Sequence, residues 1–189
     1  MIRVLGISGS LRRGSHNSAL LRAATRLMPP GATLEVGSIR GIPLYDYDVE
    51  VRGIPAAVAQ LKEAIVAADG VLLVTPEYNN SLPGVFKNAI DWLSRPSADI
   101  KRVFTGRPFA LIGASPGQFG TVQSQTAWLP VLRTLGVHAW FGGRLALARA
   151  DNLFDEDGNL KDAAVEEQLK QYLAGYVGFV RRAAPVPTA

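Results

Sequence analysis

The run Val71-Leu72-Leu73-Val74 is apolar without a break, with Asp69-Gly70 before it and Thr75-Pro76 after it. A strand of this kind is covered on both faces, and such strands belong to parallel sheets whose crossover helices lie above and below. Two further runs, the mostly apolar Arg3 to Gly9 and the apolar Phe109-Ala110-Leu111-Ile112-Gly113, read as buried strands too and open into Gly/Ser-rich loops. After each of the three the apolar spacing turns helical: Leu20, Leu21, Ala24, Leu27 and Met28; then Phe86, Ala89, Ile90 and Leu93; then a stretch from about Thr121 to Leu135 that Pro130 should bend.

The gaps fill in the same rhythm. Thr33-Leu34-Glu35-Val36 reads as a second strand, residues 37–53 as a long irregular connection, and Pro55 as the start of a helix carrying Val58, Leu61 and Ile65. Val137-His138-Ala139-Trp140 gives a short fifth strand, residues 141–159 an irregular segment, and Val165 to Arg182 a last helix. Five strands alternating with five helices predict an α/β fold, a doubly wound sheet with helices on both faces. At 189 residues, one domain over 1–183 is expected, with 184–189, carrying two Pro, as a disordered tail.

Composition narrows the chemistry. With no Cys and two His (His16 and His138), thiolate nucleophiles, disulfides and sulfur-ligated metals are excluded, so no metal site is expected. The acidic stretch Asp151 to Asn159 fails the calcium-loop spacing, since Leu153 and Ala164 fall where its first and twelfth ligands would stand. Net charge is +4 and 15 of the 20 basic residues are Arg, which suits phosphate and carboxylate partners. The cations are scattered singles and pairs with no basic stripe, so nucleic acid is not an expected partner. No apolar run reaches the length of a membrane span and none precedes the first strand as a leader, so a cytoplasmic protein is expected, with no membrane partner.

In doubly wound sheets the ligand sits beyond the carboxyl ends of the strands, where the order reverses. The loops after strands one, three and four are therefore the candidates. The first holds Ser10, Arg12, Ser15, Asn17 and Ser18 at a helix start, where unpaired amides, the helix dipole and an arginine favour a phosphate. It lacks both the Gly-x-Gly-x-x-Gly and the Gly-x4-Gly-Lys-Ser/Thr fingerprints, which favours a monophosphate. The second, Thr75 to Gly84, joins the fixed backbone of Pro76 to the aromatic face of Tyr78 and the amides of Asn79 and Asn80, equipment for a flat heteroaromatic ring. The third, Ala114 to Gly120, is small enough for close backbone approach.

Taken in order, Gly9-Ser10-Leu11-Arg12-x-Gly-Ser15-x-Asn17, Thr75-Pro76-Glu77-Tyr78-Asn79-x-Ser81-x-Pro83-Gly84-x-x-Lys87-Asn88-Ala89-Ile90-Asp91-Trp92 and Ser115-Pro116-Gly117 resemble the NAD(P)H-dependent FMN reductases, a flavodoxin-like family that includes chromate, quinone and azo-dye reductases. The resemblance implies a five-stranded sheet of order 2-1-3-4-5, bound FMN, NADPH or NADH as cosubstrate, and assembly as a homodimer or homotetramer. Carried over by position, Ser10, Arg12, Ser15 and Asn17 would hold the phosphate. Pro76, Glu77, Tyr78 and Asn79 would line the isoalloxazine, and Ser115 with Gly117 would close its other side. Asn80 departs from relatives that carry Tyr there.

The implied reaction is ping-pong hydride transfer from the nicotinamide through the flavin to a small-molecule electron acceptor: a quinone, an azo compound, chromate or free flavin. The competing readings are an FMN-binding electron carrier without its own NAD(P)H oxidation, which the positive net charge disfavours, and a phosphate-ester hydrolase using Ser10 or Ser15, for which no Gly-x-Ser-x-Gly elbow exists.

Overall fold

The structure is a computed structural model that describes residues 1–183, so the expected tail at 184–189 lies outside the described residues. In chain order the elements are β1 (Ile2–Ser8), α1 (His16–Arg26), β2 (Ala32–Gly37), α2 (Tyr47–Glu50), α3 (Ala56–Ala67), β3 (Gly70–Val74), α4 (Gly84–Leu93), α5 (Asp99–Val103), β4 (Pro108–Ala114), α6 (Val122–Thr134), β5 (His138–Ala139), β6 (Leu145–Leu147) and α7 (Ala163–Arg182). Every strand pairing is parallel and the order is β2-β1-β3-β4-β5, as the flavodoxin-like reading requires.

Every residue of β3 and β4 is buried, which is why these two runs show no polar alternation. Each face of the sheet carries its own core. On one, Val4, Leu72, Val74, Ala110 and Ile112 meet Leu20 and Leu21 of α1 and Leu169 and Leu173 of α7. On the other, Leu5, Ile7, Leu73 and Leu111 meet Ile65 of α3, Phe86 of α4 and Trp128 of α6. Each fully buried Leu or Ile contributes roughly 1.5–3 kcal/mol relative to exposure, so these side chains fix which helix covers which face. Tyr172 and Tyr176 of α7 enter the first core and still satisfy their hydroxyls: Tyr172 donates to the Leu111 carbonyl at 2.8 Å, and Tyr176 is 2.9 Å from the carbonyls of Val71 and Pro108. Burial holds both phenols well above their ordinary pKa, so they remain neutral donors.

The fifth position of the sheet differs from expectation. The predicted strand over 137–140 pairs only through His138 and Ala139, and the segment predicted to be irregular contributes a sixth strand, Leu145–Leu147, beside the end of β4. Trp140 donates its N–H to the Phe109 carbonyl at 2.8 Å and closes the first piece. Gly142 then passes so close to the Trp140 indole that an added Cβ would lie 2.5 Å from its Nε1, and this fold-back lets the chain rejoin the edge one turn later. A Gly-Gly step and three residues of strand are too short to show a period in the sequence. The connection over 37–53 also holds a single helical turn, α2, started by Asp46, whose carboxylate accepts from the Asp48 N–H. Pro130 lies inside α6, as expected.

Candidate functional site

Backbone pairing brings the three predicted loops to one end of the sheet. The Gly9 N–H donates to the Val74 carbonyl at 2.9 Å and the Thr75 N–H to the Ile112 carbonyl at 2.8 Å, so the chain leaves β1, β3 and β4 side by side. Gly113 is required for this approach: a Cβ there would lie 2.1 Å from the Thr75 carbonyl oxygen.

In the first loop Ser15 caps α1, its Oγ accepting from the Ser18 N–H at 3.2 Å, which leaves the hydroxyl proton free to donate. The Ala19 N–H reaches the Ser15 carbonyl, so the His16 and Asn17 amides are left without a partner among the described residues. Ser10 turns the loop by accepting from the Arg12 N–H at 3.3 Å, and its proton is likewise free. Arg12 and Arg13 are exposed and form no ion pair among the described residues. This corner offers donors to an anion together with two guanidiniums that no carboxylate neutralises among the described residues.

Asn17 plays a different part from the one its side chain suggests in sequence. It is buried, and its carboxamide clamps Ala114 at the end of β4, Nδ2 donating to the carbonyl at 2.8 Å and Oδ1 accepting from the N–H at 2.9 Å. Only its backbone amide faces the loop's purpose; its side chain ties α1 to the strand that leads into Ser115. His16, the first residue of α1, pairs with Asp151 at 2.9 Å and stacks on Phe154.

The second loop is braced. Tyr78 and Ser81 exchange backbone hydrogen bonds at 3.0 Å around Asn79 and Asn80, whose φ values of 50° and 58° make a two-residue hairpin turn with both central residues left-handed. Asn tolerates that region better than other residues with a Cβ, so Asn80 has a local structural reason that the sequence comparison with Tyr-bearing relatives hides. Glu77 lies under the turn, its Oε2 accepting from the Ser124 N–H at 2.9 Å in the first turn of α6. A carboxylate there pairs with an open amide and with the positive end of the helix dipole. Thr75 Oγ1 meets Ser124 Oγ at 2.8 Å and accepts from Trp128 Nε1 at 3.0 Å. Pro76 is buried, whereas Tyr78 and Asn79 are exposed.

In the third loop Ser115 Oγ accepts from the Gly117 N–H at 3.3 Å, and Gly117 is exposed. Thus Ser10, Arg12 and Ser15 share the first loop with the free amides, Tyr78 and Asn79 are exposed in the second loop, and Gly117 is exposed beside Ser115 in the third. In the connection after β2, Tyr45 packs edge-on against Trp92 at 5.1 Å and donates to Glu50 at 2.8 Å, a bond that raises its own pKa, and Tyr47 is the more exposed of the two. Sequence reasoning passed over Ser124 and Trp128, which support the second loop, and Ser38 and Arg40 after β2. Arg40 donates from Nη2 to the Leu11 carbonyl at 2.9 Å and so belongs to the wall of the first loop. The rule that ligands sit at strand ends was the available signal for Arg40.

Residues 2–152 match the model of the NADPH-dependent FMN reductase family. The chain belongs to this family. It is an FMN-containing oxidoreductase that uses NAD(P)H. It is 48% identical over 181 residues to an NAD(P)H-dependent FMN reductase of Pseudomonas aeruginosa, covering 96% of each chain. It is 37% identical over 188 residues to an NADPH:quinone oxidoreductase of Arabidopsis thaliana, covering 96% of this chain and 93% of the other. Among solved structures, a flavoenzyme NAD(P)H:(acceptor) oxidoreductase of Paracoccus denitrificans superposes with a TM-score of 0.86 at 30% identity, over 97% of this chain and 99% of that one. Among the described residues no cluster of His, Asp or Glu could hold a metal ion, and no helix is long and apolar enough to cross a membrane.

Proposed function

We infer that the FMN phosphate is held by Ser10, Arg12, Ser15 and the backbone amides of His16 and Asn17. The isoalloxazine then lies between the rim made by Pro76, Glu77, Tyr78 and Asn79 and the rim made by Ser115 and Gly117. The donor set fits the group: a phosphate needs convergent donors, a cation and no facing carboxylate, and a flat ring needs a fixed backbone edge beside an open face. The observation that carries this reading is the pair of unpartnered amides beside Arg12, itself without an ion pair, at the switch point of the sheet.

When bound, FMN supplies hydride acceptance from the nicotinamide and electron delivery to the acceptor. The chain's part is to bind and orient. Glu77 is held by Ser124 and keeps the hairpin in place without acting on a proton, and Tyr78 presents its exposed ring to whatever occupies the open face. Nicotinamide and acceptor use that face in turn, which accounts for a nicotinamide-using enzyme with no dinucleotide fingerprint. Quinones are the acceptor class that the names of the relatives favour. Exposed Val85, Phe119, Leu129 and Phe141 support assembly as a homodimer or homotetramer. The family's cofactors are cytoplasmic metabolites, which supports that location.

The test is NADPH consumption by the FMN-reconstituted protein with menadione. Turnover that requires both FMN and the quinone is expected; bound FMN that NADPH leaves oxidised would point instead to an electron carrier without its own NAD(P)H oxidation.

A further inference from the structure

Beside the proposed flavin phosphate corner lies a cavity of about 450 Å³ that opens toward β2. It shares Ser10 and Arg12 with that corner and adds Arg13 from the first loop and Arg40 from the loop after β2. No carboxylate lines it, and none of these three arginines has an ion-pair partner among the described residues. Arg22 also lines the cavity, but its guanidinium lies against Gly158.

The lining has two further properties. Ser18 and Ser38 place hydroxyls at its base, the first 3.1 Å from Ser8 Oγ and the second accepting from the Arg40 N–H at 3.1 Å. Leu11 and Val36 are exposed on its rim and give a flat ligand two apolar surfaces. The volume exceeds what one phosphate needs and matches the scale of a small-molecule site. Arg13 and Arg40, which the flavin phosphate leaves free, together with the apolar flanks describe a site for a phosphorylated nucleoside.

The strand order says which one. Counting from β2 across β1 to the junction of β3 and β4, where the flavin ring is placed, is between two and three strand spacings, about 12 Å at about 4.8 Å each. The two linked nucleotides of a dinucleotide bridge such a gap, with nicotinamide at one end and adenosine at the other. The end of a second strand is also where doubly wound folds that bind dinucleotides meet the adenosine ribose, an arginine there accepting a 2′-phosphate. We propose that Arg13 and Arg40, with Arg12 shared, bind the adenosine 2′-phosphate of NADPH in this cavity and make the enzyme prefer NADPH to NADH. The proposal rests on the flavin site described above.

The experiment uses the FMN-loaded protein, with Arg13→Ala and Arg40→Ala made separately because Arg40 also braces Leu11. Calorimetric titration with 2′,5′-ADP and with 5′-AMP, which lacks the 2′-phosphate, reads the site without turnover. The wild type is expected to bind 2′,5′-ADP about tenfold or more tightly than 5′-AMP, and each variant to lose most of that ratio. In steady state the same variants should lower the NADPH to NADH ratio of kcat/KM by a similar factor, through KM for NADPH. Equal binding of the two probes by the wild type, or an unchanged ratio in both variants, overturns the proposal. Loss of FMN from the variants with the ratio intact would also overturn it, assigning the arginines to the flavin phosphate and leaving the flavin site standing. A wild type that never retains FMN would instead remove the reading on which the proposal rests.

Discussion

The two loops that meet at the end of the sheet are built in opposite ways. Between Thr75 and Ser81 the groups that fix the loop find partners within the protein: the Thr75 hydroxyl with Ser124 and Trp128, the Glu77 carboxylate with the Ser124 amide of α6, and the Tyr78 and Ser81 backbones with each other across the turn. Between Ser10 and Asn17 the Asn17 and His16 side chains are likewise tied down, but two backbone amides stay open and two arginines are free of carboxylates among the described residues. The difference separates two tasks. A ring platform must not move, so its hydrogen bonds are closed before any ligand arrives; a phosphate anchor must offer groups that only the ligand completes.

Damage to the closed loop should therefore appear as lost stability, and damage to the open one as lost affinity. The largest effect is expected for Trp128→Ala, which empties a fully buried site, removes the bond to Thr75 and unseats an edge contact with Phe86 at 5.1 Å. It should cost about 3–5 kcal/mol in denaturant unfolding. Arg12→Ala comes next, weakening FMN binding by about 1.5–3 kcal/mol while stability of the ligand-free chain stays within about 0.5 kcal/mol. Asn80→Ala places a residue that resists left-handed backbone at φ 58° and should lower stability by about 1–2 kcal/mol, whereas Asn79→Gly at φ 50° should be nearly neutral. The smallest is Glu77→Gln, which keeps an acceptor for the Ser124 amide but removes the charge at the start of α6, for about 0.3–1 kcal/mol in thermal unfolding. If Trp128→Ala or Glu77→Gln left stability intact and only weakened FMN, the division between the loops would fail.

The sheet was legible because β3 and β4 are buried throughout and appear as continuous apolar runs, with β1 a mostly apolar one, each short and followed by a Gly/Ser- or Pro-containing loop. The split of the last edge was not, because β5 and β6 have two and three residues and a Gly-Gly step between them. In the site, residue types gave the donors of the first loop, but not how each is used. Asn17 is a polar residue at a helix start, and nothing in its neighbours shows that Ala114, 97 residues away, takes up both ends of its side chain. Asn80 was read against relatives, while its explanation is a turn that needs left-handed backbone. Arg40 was hidden because contacts between the loops after β1 and β2 follow from strand order and leave no local pattern.

The central claim is that the phosphate of FMN, rather than its ring, is what the first loop holds. FMN and riboflavin share the ring and differ in that phosphate, so their affinities for the wild type and for Arg12→Ala test it directly. The account predicts that the substitution weakens FMN by about tenfold or more and leaves riboflavin unchanged, so that the preference for FMN shrinks. An equal fall for both ligands, or no fall for either, would contradict it.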